Sequence, residues 1–113
     1  MKLVRQNQYS GKRISEGKVT IYENGKWSTI CDQKWTMADA EVTCTDIGFP
    51  GAVQNTSLQP DIGENKNILY KDYRCTGSED YLNICPSERS NSTSRCFHVA
   101  GVRCKDEGIY FII

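Results

Sequence analysis

Val19-Thr20-Ile21-Tyr22 alternates apolar and polar positions in β-forming residues, the two-residue period of a half-buried strand. Asn24-Gly25 follows. Both residues tolerate positive φ, so the pair predicts a tight hairpin turn, with Trp27-Ser28-Thr29-Ile30-Cys31 as the returning strand. The period then lengthens. Met37, Ala40, Cys44 and Ile47 fall on one stripe at helical spacing. Thr36 stands at the N-cap position, and the carboxylate of Asp39 can meet the free N–H groups of the first turn. Gly48 supplies the left-handed residue that ends the helix, and Pro50 prevents a restart.

Beyond the helix the pattern weakens. Residues 51–67 mix Gly, Pro, Asn, Asp and Ser with little periodicity, which predicts a long surface loop. Ile68 to Cys75 reads as one strand, and Thr76-Gly77 as a turn. Ser78 to Cys85 reads as a short capped helix with Tyr81, Leu82 and Cys85 inward, stopped by Pro86. Residues 87–95 read as a second exposed loop, and Val99 to Cys104 as a last strand. The expected class is α+β, a small antiparallel sheet packed against one main helix.

Composition narrows the function. The 113 residues suit a single domain, and 38% apolar with 25% charged residues is a globular balance. Fourteen basic residues offset fourteen acidic ones, so the basic excess of a nucleic-acid module is missing. No apolar run approaches the length of a membrane helix, so no membrane insertion is expected. Six cysteines point to an oxidising compartment. Their even number suits three disulfides, and no C-x-x-C knuckle suggests zinc. Fifteen pairings are open, and spacing alone does not choose among them. The first residues lack the apolar segment of an export signal. An excised domain of a larger protein is therefore expected, with the apolar stretch Ile109 to Ile113 as a strand or the lead into a following domain.

Gly17-Lys18-Val19-Thr20-Ile21-Tyr22-Glu23-Asn24-Gly25-Lys26-Trp27-Ser28-Thr29-Ile30-Cys31-Asp32 resembles the opening of a scavenger receptor cysteine-rich domain. Trp35 and Asp39-Ala40-Glu41-Val42-x-Cys44-x-x-Ile47-Gly48-Phe49 resemble its helix signature. Tyr73-Arg74-Cys75-x-Gly77, Leu82-x-x-Cys85-Pro86 and Ala100-Gly101-Val102-x-Cys104 resemble its second half. The likeness runs from about residue 3 to residue 104. The family's eight-cysteine class adds a pair near residues 11–13 and at position 49. This chain has Gly11-Lys12-Arg13 and Phe49 there, so it resembles the six-cysteine class. That resemblance implies disulfides Cys31–Cys96, Cys44–Cys104 and Cys75–Cys85, and a curved sheet cradling the helix.

The resemblance also implies function. Family members are extracellular binding modules, so a non-catalytic role is expected, in a secreted protein or on the outer face of a membrane. The ligand would be a protein or a polyanion. The alternatives are a spacer packed on neighbouring domains of the parent chain, or an exosite domain regulating an adjacent protease or oxidase. His98, the one histidine, limits histidine-based catalysis. Candidate ligand-binding cations are Lys66, Lys71, Arg74, Arg89, Arg95 and Arg103. The family's calcium site uses two adjacent aspartates before the third of these cysteines and a glutamate between the last two. Here Lys71-Asp72 stands at the first place, and no acid lies between Cys96 and Cys104. Asp32 and Asp72 are residual acids of that site. A cation beside a lone carboxylate disfavours Ca²⁺, so neither calcium nor another cofactor is expected. Trp27 and Trp35 are expected in core or sheet packing, and an exposed tyrosine of the Ile68 strand could anchor a protein contact. Asn55-Thr56-Ser57 and Asn91-Ser92-Thr93 are glycosylation sequons, both expected in loops.

Overall fold

The computed structural model describes residues 2–4, 15–60, 68–89 and 96–105. Strands β1 (Lys2–Val4), β2 (Glu16–Glu23) and β3 (Lys26–Ile30) precede the helix α1 (Met37–Asp46). Strands β4 (Ala52–Leu58), β5 (Ile68–Leu69), β6 (Lys71–Tyr73), β7 (Ser87–Arg89) and β8 (Val99–Cys104) follow it. The main sheet runs β4-β8-β2-β3-β5, with β1 added on β2. A separate ribbon pairs β6 with β7. The expected α+β class holds. All pairs are antiparallel except β3 with β5, which run parallel.

The hairpin and the helix form as their residues dictate. Asn24 and Gly25 both take positive φ, 55° and 77°, so the turn matches the twist of β2 and β3. At the start of α1, Thr36 Oγ1 accepts from Asp39 N at 3.2 Å, and Asp39 Oδ2 accepts from Thr36 N at 3.0 Å. This reciprocal box satisfies two donors at the helix start. At its end, Gly48 takes φ 99°, Gly48 N donates to Thr45 O, and Phe49 N donates to Cys44 O. Phe49 is then delivered into the core, as this type of termination favours. The apolar stripe holds at Ala40 and Cys44, which are buried, and in part at Ile47, while Met37 is 41% exposed.

Three carboxylates of α1 reach out to the backbone of the segments around it. Asp39 Oδ1 accepts from Cys75 N at 3.0 Å, Glu41 Oε2 from Ala52 N at 2.8 Å, and Asp46 Oδ2 from Leu82 N at 3.0 Å. Each of these N–H groups lies partly out of water and needs an acceptor. The core of Val19, Ile30, Val42, Val102, Phe49 and Leu82 fills the space between α1 and the sheet. Gly101 is buried in β8, where a Cβ would run into Thr56 and Leu58, and its carbonyl accepts from the Trp35 indole at 3.1 Å.

Four expectations need correction. The loop expected from residue 51 contains β4, paired with β8 along Ala52–Leu58 with a bulge between Ala52 and Gln54. It is an edge strand with polar residues on both sides, so no apolar alternation marks it. The single strand expected over 68–75 splits at Tyr70, because β5 follows β3 and β6 follows β7. The helix expected over 78–85 is one 3₁₀ turn, Leu82–Ile84. Glu79 turns back to accept from Thr76 N and Gly77 N, so it does not prolong a helix. Leu82 and Cys85 point inward, but Tyr81 is exposed. Finally, the loop expected from 87 begins with β7.

Asp39 is fully buried, and it serves both the helix start and Cys75. Replacing it with Ala strands two backbone donors and removes the cap. The expected cost is roughly 2–4 kcal/mol in urea unfolding of the oxidised protein. Asp39→Asn, which keeps one acceptor oxygen, should lose less. An Ala variant within ~0.5 kcal/mol of the parent would show that the bonds contribute little.

Candidate functional site

Sulfur pairing decides which loops come together. The bonds are Cys31–Cys96, Cys44–Cys104 and Cys75–Cys85, the same pairs that the family resemblance implies. Cys44–Cys104 fastens α1 to β8. Cys31–Cys96 draws the end of β3 to the start of the last segment, where Cys31 also bridges Val99. Cys75–Cys85 closes the loop that joins β6 to β7.

That last loop brings three of the candidate cations together. Lys71 lies opposite Arg89, Asp72 opposite Glu88, and Tyr73 opposite Ser87. Arg74 N donates to Pro86 O at 2.8 Å, which extends the ribbon by one residue. Because side chains alternate, Lys71 and Arg89 share one face while Asp72, Arg74 and Glu88 share the other. Each face would hold like charges across the strands, and each is relieved by a neighbour of opposite sign. Arg89 pairs with Glu23 at 3.0 Å, Arg74 with Glu88 at 2.5 Å, and Lys34 with Asp72 at 3.6 Å. Lys71 Nζ sits 5.2 Å from the centre of the Tyr73 ring. With Lys34 and Glu23 from neighbouring elements, the ribbon thus presents four cations interleaved with three carboxylates, a mixed surface with a small positive bias. Arg103 is exposed on β8 of the other sheet, in register with Glu16 and Gln54, so it does not join this group. Lys66 and Arg95 lie outside the described residues, as do Asn91, Tyr110 and the apolar stretch 109–113.

Tyr73 anchors the ribbon to the core. It is buried, with its ring edge-on to Trp35 at 6.3 Å. It therefore does not serve as the exposed contact tyrosine, and Tyr70 beside it is half-buried. Burial pushes its phenol up to about 12, helped by the charges of Glu23 and Asp39 and opposed by Arg89. Trp35 takes its expected core position. Trp27, 44% exposed, takes the sheet alternative and packs across the hairpin on Tyr22, with ring centres 5.3 Å apart.

The residual acids of the calcium site are engaged elsewhere. Asp72 faces the Lys34 ammonium with Lys71 next in sequence, and Asp32 accepts from the Ser57 hydroxyl. Calcium needs six to eight hard oxygens. These residues do not fit that demand. The two clusters of sulfur and carboxylate, Cys31-Asp32-Cys96 and Cys75-Glu79-Cys85, have their sulfurs committed to disulfides. His98 is exposed, and its ring meets the Gln59 side chain at 3.5 Å. Asn55 is in β4 and not in a loop. Its amide nitrogen donates to the Trp35 carbonyl at 3.2 Å, so the group a glycan would modify is tied to the fold.

Sequence reasoning did not anticipate the glutamates that answer the arginines, although the alternating signs of Lys71-Asp72-x-Arg74 and Glu88-Arg89 hint at a paired ribbon. It also turned Tyr81 inward. Three comparisons bear on this arrangement. The family profile for the scavenger receptor cysteine-rich domain matches residues 9–105. A "Scavenger receptor cysteine-rich domain superfamily protein" of Patiria pectinifera is 36% identical over 97 residues, 83% of this chain and 8% of that protein. Galectin-3-binding protein of Rattus norvegicus is 36% identical over 108 residues, 91% of this chain and 18% of that protein. The chain thus spans less than a fifth of either relative. Among solved structures, the third SRCR domain of murine neurotrypsin superposes with a TM-score of 0.69 at 30% identity, covering 91% of this chain and 92% of that one. The SRCR domain of mouse MARCO in its dimeric form gives 0.62 at 32% identity, covering 80% and 86%.

Tyr73 yields a pH test. Its phenol stays neutral in the folded chain up to about 12, whereas in the unfolded chain it ionises near 10. The stabilisation is complete below pH ~10 and is lost as the pH rises toward ~12, because the unfolded chain then gives up its proton first. Ultraviolet titration of tyrosinate should show one late-ionising phenol that Tyr73→Phe removes. A curve unchanged by that substitution would contradict the assignment.

Proposed function

The chain belongs to the scavenger receptor cysteine-rich family, and from that premise we propose that it is a non-catalytic module that recognises a protein ligand through the β6–β7 ribbon. Family members are extracellular or surface proteins that bind protein ligands, and three disulfides fit an oxidising compartment. The observation that carries the reading is the ribbon itself. Lys71, Arg74 and Arg89 project from a disulfide-closed, core-anchored platform, each set against a neighbouring ring or carboxylate. Preorganised charges of both signs give register and partner choice against a protein surface. A polyanion would meet the carboxylates of Glu23, Asp72 and Glu88 as well, which favours the protein reading over the polyanion one. The rat relative is named for binding galectin-3, and this chain covers 18% of it, so galectin-3 is a first probe.

Fluorescent oxidised domain applied to cultured cells tests the reading. Capture should fall after trypsin treatment of the cells, persist after heparinase, and weaken in a Lys71→Ala/Arg89→Ala variant. Loss on heparinase alone would favour the polyanion. Equal capture of reduced, unfolded chain would remove specific recognition altogether.

The same reading makes recognition independent of calcium. Lys34 puts an ammonium group 3.6 Å from Asp72, which repels a divalent cation. The melting temperature of the oxidised domain should be the same in millimolar calcium as in chelator. A calcium-dependent rise that disappears in Asp72→Ala would overturn this.

A further inference from the structure

Tyr81 and Ile84 stand on the loop closed by Cys75–Cys85, 56% and 59% exposed. Tyr81 caps a 3₁₀ turn in an extended conformation and Ile84 ends it, so the two exposed side chains stand at either end of one turn as a short apolar ridge. The ridge is held from below at every step. Leu82 is buried, its N–H donates to Asp46, Cys85 N–H donates to Leu82 O, and Ile84 N–H to Tyr81 O. At the loop's start, Cys75 N–H is taken by Asp39, and Glu79 ties down Thr76 and Gly77. A large aromatic and an aliphatic side chain on a rigid base are the features of a protein contact anchor, since little ordering is left to be lost on binding.

The surroundings of the ridge commit it to one kind of occupant. The loop residues 75–86 contain Glu79 and Asp80 and no Lys, Arg or His. α1 contains Asp39, Glu41 and Asp46 and likewise no basic residue, but Asp39 is fully buried, so Asp46, bonded to Leu82 N, is the helix acid beside the ridge. The two stretches are joined by the Asp39–Cys75 and Asp46–Leu82 hydrogen bonds. Asp46, Glu79 and Asp80 thus make the ridge's own loop and the adjoining end of the helix an acidic pole.

We propose that the Tyr81–Ile84 ridge is a second docking surface, for a basic protein segment whose apolar side chains pack on the ridge while its Lys or Arg side chains meet the acidic pole. The ridge lies on the loop that joins β6 to β7 and uses none of the ribbon's cations, so it stands whether or not the ribbon binds a protein. Its partner is set by both requirements together, an apolar contact and positive charge.

A short synthetic peptide of lysine and leucine serves as the probe, with a glutamate–leucine peptide and an oligolysine as comparisons. The oxidised domain labelled with ¹⁵N is titrated with each, and amide shifts are followed. The lysine–leucine peptide should bind saturably, with shifts centred on Glu79–Ile84 and weakening as salt rises. A Tyr81→Ala/Ile84→Ala variant should bind about tenfold more weakly with an unchanged unfolding midpoint, because both side chains lie mostly in solvent. Asp80→Lys should also weaken binding. The proposal is overturned if shifts centre on other residues, if no saturable binding occurs, if glutamate–leucine or oligolysine binds as tightly, or if the double variant binds like the parent. None of these outcomes depends on the cell-capture result.

Discussion

The carboxylate of Asp39 closes the cap of α1 with one oxygen and accepts the Cys75 amide with the other. A single fully buried side chain therefore sets both where the helix begins and where the Cys75–Cys85 loop leaves the core. Glu41 and Asp46 repeat the arrangement farther along, holding Ala52 at the head of β4 and Leu82 in the 3₁₀ turn. The helix is thus a post from which three otherwise irregular segments hang by their backbones. This explains how a short chain with a modest core keeps long connections in place. Each segment needs only one well-placed acceptor to replace the water that its amide gives up.

The disulfides act on the same segments from the other side, through the unfolded chain. Cys31–Cys96 and Cys44–Cys104 span 65 and 60 residues, and Cys75–Cys85 spans 10. The loop-entropy relation assigns about 4 kcal/mol to each long closure and about 3 kcal/mol to the short one. The long loops overlap, so these values do not simply add. Hydrogen bonds from α1 choose the geometry, and the sulfur bridges limit the alternatives that compete with it. Cys44 belongs to both schemes, because it lies on the helix that carries the acceptors and is bonded to β8.

Elements with strong local signals were readable from the sequence. The Asn24-Gly25 hairpin, the Thr36/Asp39 cap, the Gly48 stop and the strand at Val99 depend on residues close in the chain. The misread elements depend on distant partners. β4 is a strand because β8 lies beside it, and its polar residues are used in bonds to Trp35 and Asp32. The stretch 78–85 has helical composition, but Asp46 and the Glu79 turn take up the amides that a longer helix would have used. At the candidate site the cations were visible, whereas Glu23, a partner of Arg89, is 66 residues away in sequence. No local pattern could have joined them. The outward ridge of Tyr81 and Ile84 was hidden for the same reason, since its orientation follows from where Leu82 is pinned.

Charge and fold are coupled unequally in the helix and in the ribbon. The acids of α1 are also the acceptors that hold Cys75, Ala52 and Leu82, so the fold depends on keeping acceptors at these positions. Hydrogen bonds to backbone amides satisfy these carboxylates without cancelling their charge. The cations of the ribbon carry no such duty. Arg74 and Arg89 are largely exposed and paired at the surface, where an ion pair contributes little to stability. They can change with little effect on folding, and the acids of α1 cannot. A recognition surface built on the ribbon is consequently free to vary with its ligand, while the acids of α1 that hold Cys75, Ala52 and Leu82 are tied to the architecture.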